Sequence, residues 1–337
     1  MTQRRTFLKQ LAFAGIGGTA LLKTGRLSAA VDAAEAAEAA KFPEMTYRVL
    51  GRTGYNASRL VYGCGAALSR NRADRVLNLA FEQGVNVYDV GTSSYYNDAQ
   101  RNLADFAGTH RDDIFLITKD FVSGADADSD PNLEESKKIA ADWESKLDTC
   151  LTDLNQEHVD AYYIMGANNP RIVNNEEIFN SFERAKAAGK VSHLGFSSHE
   201  NASECLAAAV DSGKYSLAML AMTPAGWYDW ASKNTLKNTK SLKELQPELQ
   251  GARESGIGLI AMKAGRMLAP RMWGGRGNQD AFDAQYGDKL LKANLSSFQR
   301  SYAYVLENGF DVVNADIQNF HILAENFTAA ATSSHYA

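Results

Sequence analysis

An acid, two phenols and an ammonium stand at the ends of two apolar runs in this sequence. One run ends in Asp89, a short polar turn leads from it to Tyr95 and Tyr96, and the next apolar run ends at Lys119. Such a set suits proton transfer, because a cation lowers a tyrosine pKa from about 10 and a paired carboxylate keeps a buried ammonium charged. Taken alone, the residue types favour a turn-capping Asp and a structural ion pair over that chemistry.

The elements that would position these residues follow a regular repeat. Short apolar runs alternate with amphipathic segments after Tyr47, which is typical of β/α units around a parallel sheet. The predicted strands are 60–62, 85–88, 114–118, 159–165, 194–197, 217–222, 257–262 and 312–313. Helices are predicted near 72–83, 139–154, 176–188, 200–212, 242–254 and 293–307, and five of them are followed by a glycine suited to a left-handed turn, at positions 84, 189, 213, 256 and 309.

Eight such units predict a (β/α)8 TIM barrel whose site lies at the carboxyl ends of the strands. A doubly wound open sheet is the alternative. That fold favours a GxGxxG turn after the first strand, whereas this chain has only a GxG at residues 63–65.

Composition limits the partners. The 337 residues carry a net charge of −5 and no basic block beyond the N-terminus, so we expect a small-molecule substrate and no nucleic acid. The three cysteines are widely separated and lack metal-ligand spacing, so we predict neither a disulfide framework nor a metal site.

The N-terminal segment resembles a twin-arginine export signal. Arg4-Arg5 precede a glycine-containing apolar run and then the small residues Ser28-Ala29-Ala30. The apolar run is shorter than the roughly 20 residues that a membrane span requires. We predict a signal peptide at 1–30, a linker at 31–44, one barrel domain at 45–337, export to the periplasm by the twin-arginine machinery and no stable membrane span. Because that route carries folded proteins, it also favours a cofactor inserted before export.

Motifs along the rest of the chain resemble those of aldo/keto reductases. They are YRVLGRTG at 47–54, SRL at 58–60, GVNVYD at 84–89, ITK at 117–119, VDAYY at 159–163, GKVSHLGFSSH at 189–199 and GIGLIAMK at 256–263. The resemblance implies a TIM barrel with an N-terminal hairpin. It also implies hydride transfer between a nicotinamide cofactor and a carbonyl, with Asp89, Tyr96 and Lys119 as catalytic residues.

The position of the proton-donating tyrosine is ambiguous. Counted forward from Asp89, the family's tyrosine falls on Ser94; counted backward from Leu103 in the following helix, it falls on Tyr96. We select Tyr96, with Tyr95 as the alternative.

The fourth strand departs from the family, because Met165 stands where the resemblance implies a histidine. A thioether cannot donate a hydrogen bond to a substrate oxygen, and losing one such donor typically costs about a hundredfold or more in rate. Asn168 and His199 are the candidate replacements. A polar turn and a helix cap, respectively, explain them equally well.

For the cofactor, the resemblance implies contacts from Ser197, Ser198, Lys263, Glu325 and Asn326. The sixth strand lacks the family's glutamine and its ring-stacking tyrosine, for which Trp227, Tyr228 or Trp230 could substitute; these aromatics could equally line a substrate pocket or cover the barrel mouth. Arg266, Arg271 and Arg276 could bind phosphate, although a solvated loop is the default interpretation.

Two functional hypotheses follow. The first is an exported oxidoreductase holding NADP(H) or NAD(H) tightly. The second, supported by Met165 and by the lack of the family's phosphate-binding arginine, is a non-redox descendant without a cofactor that binds a small ligand such as a sugar.

Overall fold

The structure, a computed structural model, describes residues 42–124, 126–271 and 275–337. Residues Pro43–Ala337 form one compact unit. The predicted signal peptide at 1–30 and most of the predicted linker at 31–44 lie outside the described residues. Among the described residues, no helix combines the length and the apolar character that crossing a membrane demands.

Eight parallel strands close into a barrel, as the repeat predicts. They are β3 (Leu60–Gly63), β4 (Val87–Asp89), β5 (Phe115–Asp120), β6 (Val159–Ile164), β7 (Val191–Ser198), β8 (Leu217–Thr223), β11 (Gly258–Met262) and β12 (Val312–Asp316). Each strand pairs with its neighbours in chain order, and β12 returns to pair with β3. The (β/α)8 prediction is therefore confirmed, and each predicted strand overlaps an observed one.

Two antiparallel additions flank the barrel. The hairpin of β1 (Tyr47–Val49) and β2 (Asn56–Ser58) ends in a tight turn at Gly51, where an added Cβ would lie 2.2 Å from the backbone nitrogen of Gly258. The hairpin therefore packs against the amino end of β11. At the other end of the barrel, β9 (Gly226–Asp229) and β10 (Asn234–Thr235) extend β8 as an antiparallel ribbon.

Helices fill the connections between the strands. They include Asp74–Glu82, Ala99–Thr109, Leu133–Leu154, Glu176–Ala187, Ala202–Ser212, Gln246–Glu254, Ser297–Glu307 and Phe320–Thr332, with short turns at Gly65–Leu68, Ser93–Tyr96, Pro170–Val173 and Asp288–Leu291. Leu133–Leu154 begins at Asn132, whose side chain and that of Glu135 form a capping box. The five glycines predicted to end helices all have positive φ, between 64° and 115°.

Strand alternation decides which side chains enter the barrel. Residues two apart face the same side of a strand, and Val87, Ile117 and Val312 belong to one buried core cluster. Asp89, Lys119 and Asn314 follow these residues by two positions. The polar residues therefore face inward at the carboxyl ends of three strands.

Candidate active site at the carboxyl ends of the strands

A buried ion pair forms the centre of the candidate site. The Lys119 ammonium donates a hydrogen bond to Asp89 Oδ1, and each residue is only 5 % exposed. A buried charge is costly without a partner, and here each residue supplies the counter-charge of the other. The structure thus brings together two of the residues selected from the sequence.

Asn314 supplies the second partner of Asp89. Its Nδ2 donates to Asp89 Oδ2 at 2.7 Å. Asn314 is on β12 and Asp89 is on β4, so the side chain crosses the intervening strand β3. It does so at Gly63, where an added Cβ would lie 2.5 Å from Asn314 Oδ1. Glycine is therefore required at position 63 if this bond is to form.

Sequence reasoning did not assign Asn314 to the site. The available signals were a polar residue two positions after an inward-facing valine and a glycine at the end of β3. Neither signal becomes specific until the strand order places β3 between β12 and β4.

The ring of Tyr96 lies beside this ion pair. A Cβ at Gly91 would be 2.9 Å from Tyr96 Cε2 and 3.2 Å from Lys119 Cγ, while one at Gly65 would be 2.7 Å from the opposite ring edge. The two glycines therefore admit the phenol next to Lys119. Tyr95, in contrast, is 51 % exposed and meets the Tyr96 ring edge-on at 4.8 Å.

Burial raises the pKa of the Tyr96 phenol, and the negative charge of Asp89 raises it further. The sequence led us to expect the opposite direction, with Lys119 lowering this pKa, and that expectation is wrong for the chain as it stands. The charge of Lys119 is balanced by Asp89, so desolvation of the phenolate dominates. The phenol is consequently protonated at neutral pH.

Met165 places a thioether, which cannot donate a hydrogen bond, directly after the fourth barrel strand. It follows β6 directly, is 7 % exposed, and donates its backbone N–H to Asp120 O at 2.9 Å. The adjoining loop is fixed by Ser197, whose Oγ accepts from Gly166 N at 3.2 Å. Asn168 contributes its backbone carbonyl, which accepts from the Asn201 side chain at 2.8 Å.

His199 follows β7 and presents an unpaired polar atom at the same end of the barrel. Its ring lies 5.2 Å from that of Trp230, and its Nε2 is buried with no hydrogen-bond partner in the described part of the chain. Burial and the nearby Lys263, Lys119 and Lys233 lower the pKa of His199 to about 3. The imidazole is therefore neutral and can serve as a hydrogen-bond donor or acceptor.

The residues selected for cofactor binding fall into separate places. Ser197 faces the barrel interior with the Asp89–Lys119 pair, whereas Ser198 is fully buried on the outer side of β7 and donates to Glu200 O at 2.8 Å. Glu325 and Asn326 lie on the last helix. There Glu325 accepts a hydrogen bond from Ser296 Oγ and is not part of the group around Lys119.

Lys263 belongs to a cationic group that surrounds one indole ring, here called the mouth cluster: Trp230, Lys233, Lys263 and Arg266. The distances to the Trp230 ring centroid are 3.1 Å from Lys233 Nζ, 5.1 Å from Lys263 Nζ and 6.0 Å from Arg266 Cζ. Lys263 follows β11 directly and has a φ of 69°, which non-glycine residues rarely adopt. Burial and Arg266 lower the pKa of Lys263 to about 8.

The other predicted aromatics and arginines have different surroundings. Trp227 and Tyr228 are buried, and only Trp230 of the three meets His199 and the lysines. Arg276 donates to the backbone carbonyls of Lys233 and Ser232, so its side chain is bound to the turn between β9 and β10. Arg271 is exposed.

Other features of the described chain do not compete with this site. A cavity of about 640 Å³ lies at the amino end of the barrel, but its Arg52 and Arg253 already bond to backbone carbonyls or to Asp311. Within the described ranges, no group of three His, Cys, Asp or Glu residues is close enough to hold a metal ion.

The site chemistry fits a nicotinamide dinucleotide. The inward-facing Ser197 hydroxyl and the unpaired His199 Nε2 offer hydrogen bonds, Trp230 offers a flat ring, and the unpaired cations offer charge to phosphate. Because Tyr96 is protonated, the same end of the barrel can also deliver a proton to an oxygen.

Comparison with known proteins agrees with this architecture. The family model described as Aldo/keto reductase family matches residues 57–262. A structure from Pseudomonas aeruginosa assigned as an aldo-keto reductase has a TM-score of 0.60 at 18% identity, covering 88% of this chain and 98% of that chain. One assigned as a 2,5-diketo-D-gluconic acid reductase B has a TM-score of 0.56 at 19% identity, covering 85% and 86%. These likenesses show the fold, and no curated protein sequence matches the chain.

Proposed function

Because the chain belongs to the aldo/keto reductase family, we propose that it is an exported oxidoreductase transferring hydride between NADP(H) or NAD(H) and a small carbonyl or alcohol. The observation that carries this proposal is the buried Asp89–Lys119 pair beside the ring of Tyr96. A bound nicotinamide supplies the hydride. The chain's own residues must supply the proton and stabilise the charge that develops on the substrate oxygen.

Tyr96 is the proposed proton donor in the reductive direction. Its raised pKa keeps the phenol protonated, which is the form that donates. Lys119, held in place by its hydrogen bond to Asp89, is the proposed cation beside this phenol. Asn314 fixes Asp89 and acts as a positioning residue.

His199 is the proposed replacement for the histidine that the family has at Met165. A neutral imidazole with an unpaired Nε2 can donate to the substrate oxygen without changing its own charge. Ser197 and Lys263 are proposed to hold the reacting end of the cofactor, and Ser198, Glu325 and Asn326 are proposed as further contacts. We propose that the cofactor is held tightly, because an exported enzyme has no evident pool for exchange.

Titration with NADPH and with NADH, followed by protein fluorescence and by nicotinamide release on denaturation, tests the proposal. We expect binding of one of the two, or release of bound nicotinamide. If neither occurs, the redox proposal fails. Met165 favours the second candidate, a non-redox barrel that binds a neutral sugar, and calorimetric binding of a sugar without any nicotinamide binding would support it.

A further inference from the structure

We propose that the mouth cluster is an anion-recognition site, and that it selects carbonyl substrates carrying a carboxylate or phosphate group. This inference rests on the proposed function and names its substrate class. It starts from three cationic side chains that lie around one indole ring, with none of the three within 4.0 Å of a carboxylate oxygen in the described residues.

Three carboxylates, those of Asp316, Glu200 and Asp229, interact electrostatically with these cations, but none forms an ion pair with them within 4.0 Å in the described residues. Asp316 lies close enough to influence Lys263 and Arg266, but its side chain accepts a hydrogen bond from Gln318 at 2.9 Å. Asp229, whose negative charge raises the pKa of Lys233, accepts hydrogen bonds from the backbone N–H groups of Ala231 and Ser232. Cations that repel one another without a bound counter-charge are stabilised by an incoming anion.

The mouth cluster is also close to the proposed reacting centre. The positive charge of Lys119 lowers the pKa of both Lys263 and His199, and the His199 ring lies 5.2 Å from that of Trp230. A small molecule anchored at Lys263 can therefore place a second functional group near Tyr96. The cofactor's phosphates offer the same chemistry as a substrate anion, so the test must separate the two sources.

The test uses 4-oxobutanoate and its methyl ester, two aldehydes of which the ester replaces the charged carboxylate with a neutral group. Calorimetric titration into the full-length protein without added nicotinamide should show the acid binding about tenfold or more tightly than the ester. Lys233→Met, Lys263→Met and Arg266→Met should each reduce acid binding about tenfold and leave ester binding unchanged. Lys263→Arg, which keeps the charge, should retain the preference.

Lys214→Met is the matched control. Lys214 also lies over an aromatic ring, that of Phe179, at 5.9 Å, but it precedes β8 at the amino end of the barrel. Equal binding of acid and ester, or an equal loss in the control, overturns the proposal. The proposal is also overturned if the variants weaken NADPH binding but still bind the acid more tightly than the ester. The mouth cluster would then bind the phosphates of the cofactor and not the anionic group of the substrate. All of these outcomes are independent of whether carbonyl reduction occurs.

Discussion

Asn314 on the last barrel strand donates a 2.7 Å hydrogen bond to Asp89 across the glycine that ends the first barrel strand. Asp89 thereby has one oxygen on Asn314 and the other on Lys119. Asp89 and Lys119 come from the neighbouring strands β4 and β5, whereas Asn314 comes from β12, which β3 separates from β4. Because both carboxylate oxygens of Asp89 have hydrogen-bond donors, the charge pair can be buried at this position.

Asn314→Ala should lower kcat for carbonyl reduction about tenfold with little change in KM, because Asp89 and Lys119 lose their fixed orientation. It should also cost about 1–3 kcal/mol of unfolding free energy, since one carboxylate oxygen loses its partner. Asn308→Ala is the control: that side chain makes a single 2.8 Å bond, to Tyr304 O, at the amino end of the barrel. A comparable loss of kcat in the control would reduce Asn314 to a structural role.

Lys119→Met should abolish reduction and destabilise the fold by about 3–5 kcal/mol, because Asp89 remains buried without its counter-charge. Combining it with Asp89→Asn should recover most of the stability in denaturant titrations but none of the activity. Undiminished reduction in Lys119→Met would show that this ammonium has no catalytic role.

His199→Ala should reduce kcat about a hundredfold, and adding Met165→His in that background should restore part of it. Since the pKa of His199 is lowered to about 3, the wild-type rate should show no histidine-dependent step near neutral pH. A step near the ordinary histidine pKa of about 6.5 that disappears in His199→Ala would contradict the neutral-donor assignment.

Carboxylate binding at the mouth cluster should weaken as the pH rises through about 8, because Lys263 loses its proton there. The other charged groups that influence the pKa of Lys263 are Arg266, Lys233, Lys119 and Asp316. The predicted loss of affinity requires only that Lys263 loses its proton. In Lys263→Arg the affinity should stay constant over the same range. A wild-type affinity that is flat through this pH would remove Lys263 from the anion site.

Export can be tested through the predicted signal. Replacing both arginines, as Arg4→Lys with Arg5→Lys, should leave the protein in the cytoplasm while the unaltered chain reaches the periplasm. Cell fractionation measures the outcome. Periplasmic recovery of both forms would contradict the twin-arginine prediction.

The barrel was predictable because its strands and helices repeat a local hydrophobic pattern, which the sequence displays directly. Asp89 and Lys119 were predictable for the same reason, since each ends an apolar run. Asn314 and the mouth cluster depend on contacts that are distant in sequence: Asn314 requires the closure of β12 onto β3, and Trp230 requires the β9–β10 ribbon to meet Lys263. The raised pKa of Tyr96 could not be foreseen either, because the depth of burial depends on the packing of Gly65 and Gly91 around its ring.

Single-turnover oxidation of bound NADPH or NADH by a small aldehyde, compared in the wild type, Tyr96→Phe and Tyr95→Phe, tests whether Tyr96 is the proton donor. The reduced-nicotinamide absorbance should disappear in the wild type and in Tyr95→Phe. In Tyr96→Phe it should persist, with cofactor affinity unchanged. Oxidation at the wild-type rate in Tyr96→Phe would show that this phenol, beside Lys119 and Asp89, does not deliver the proton.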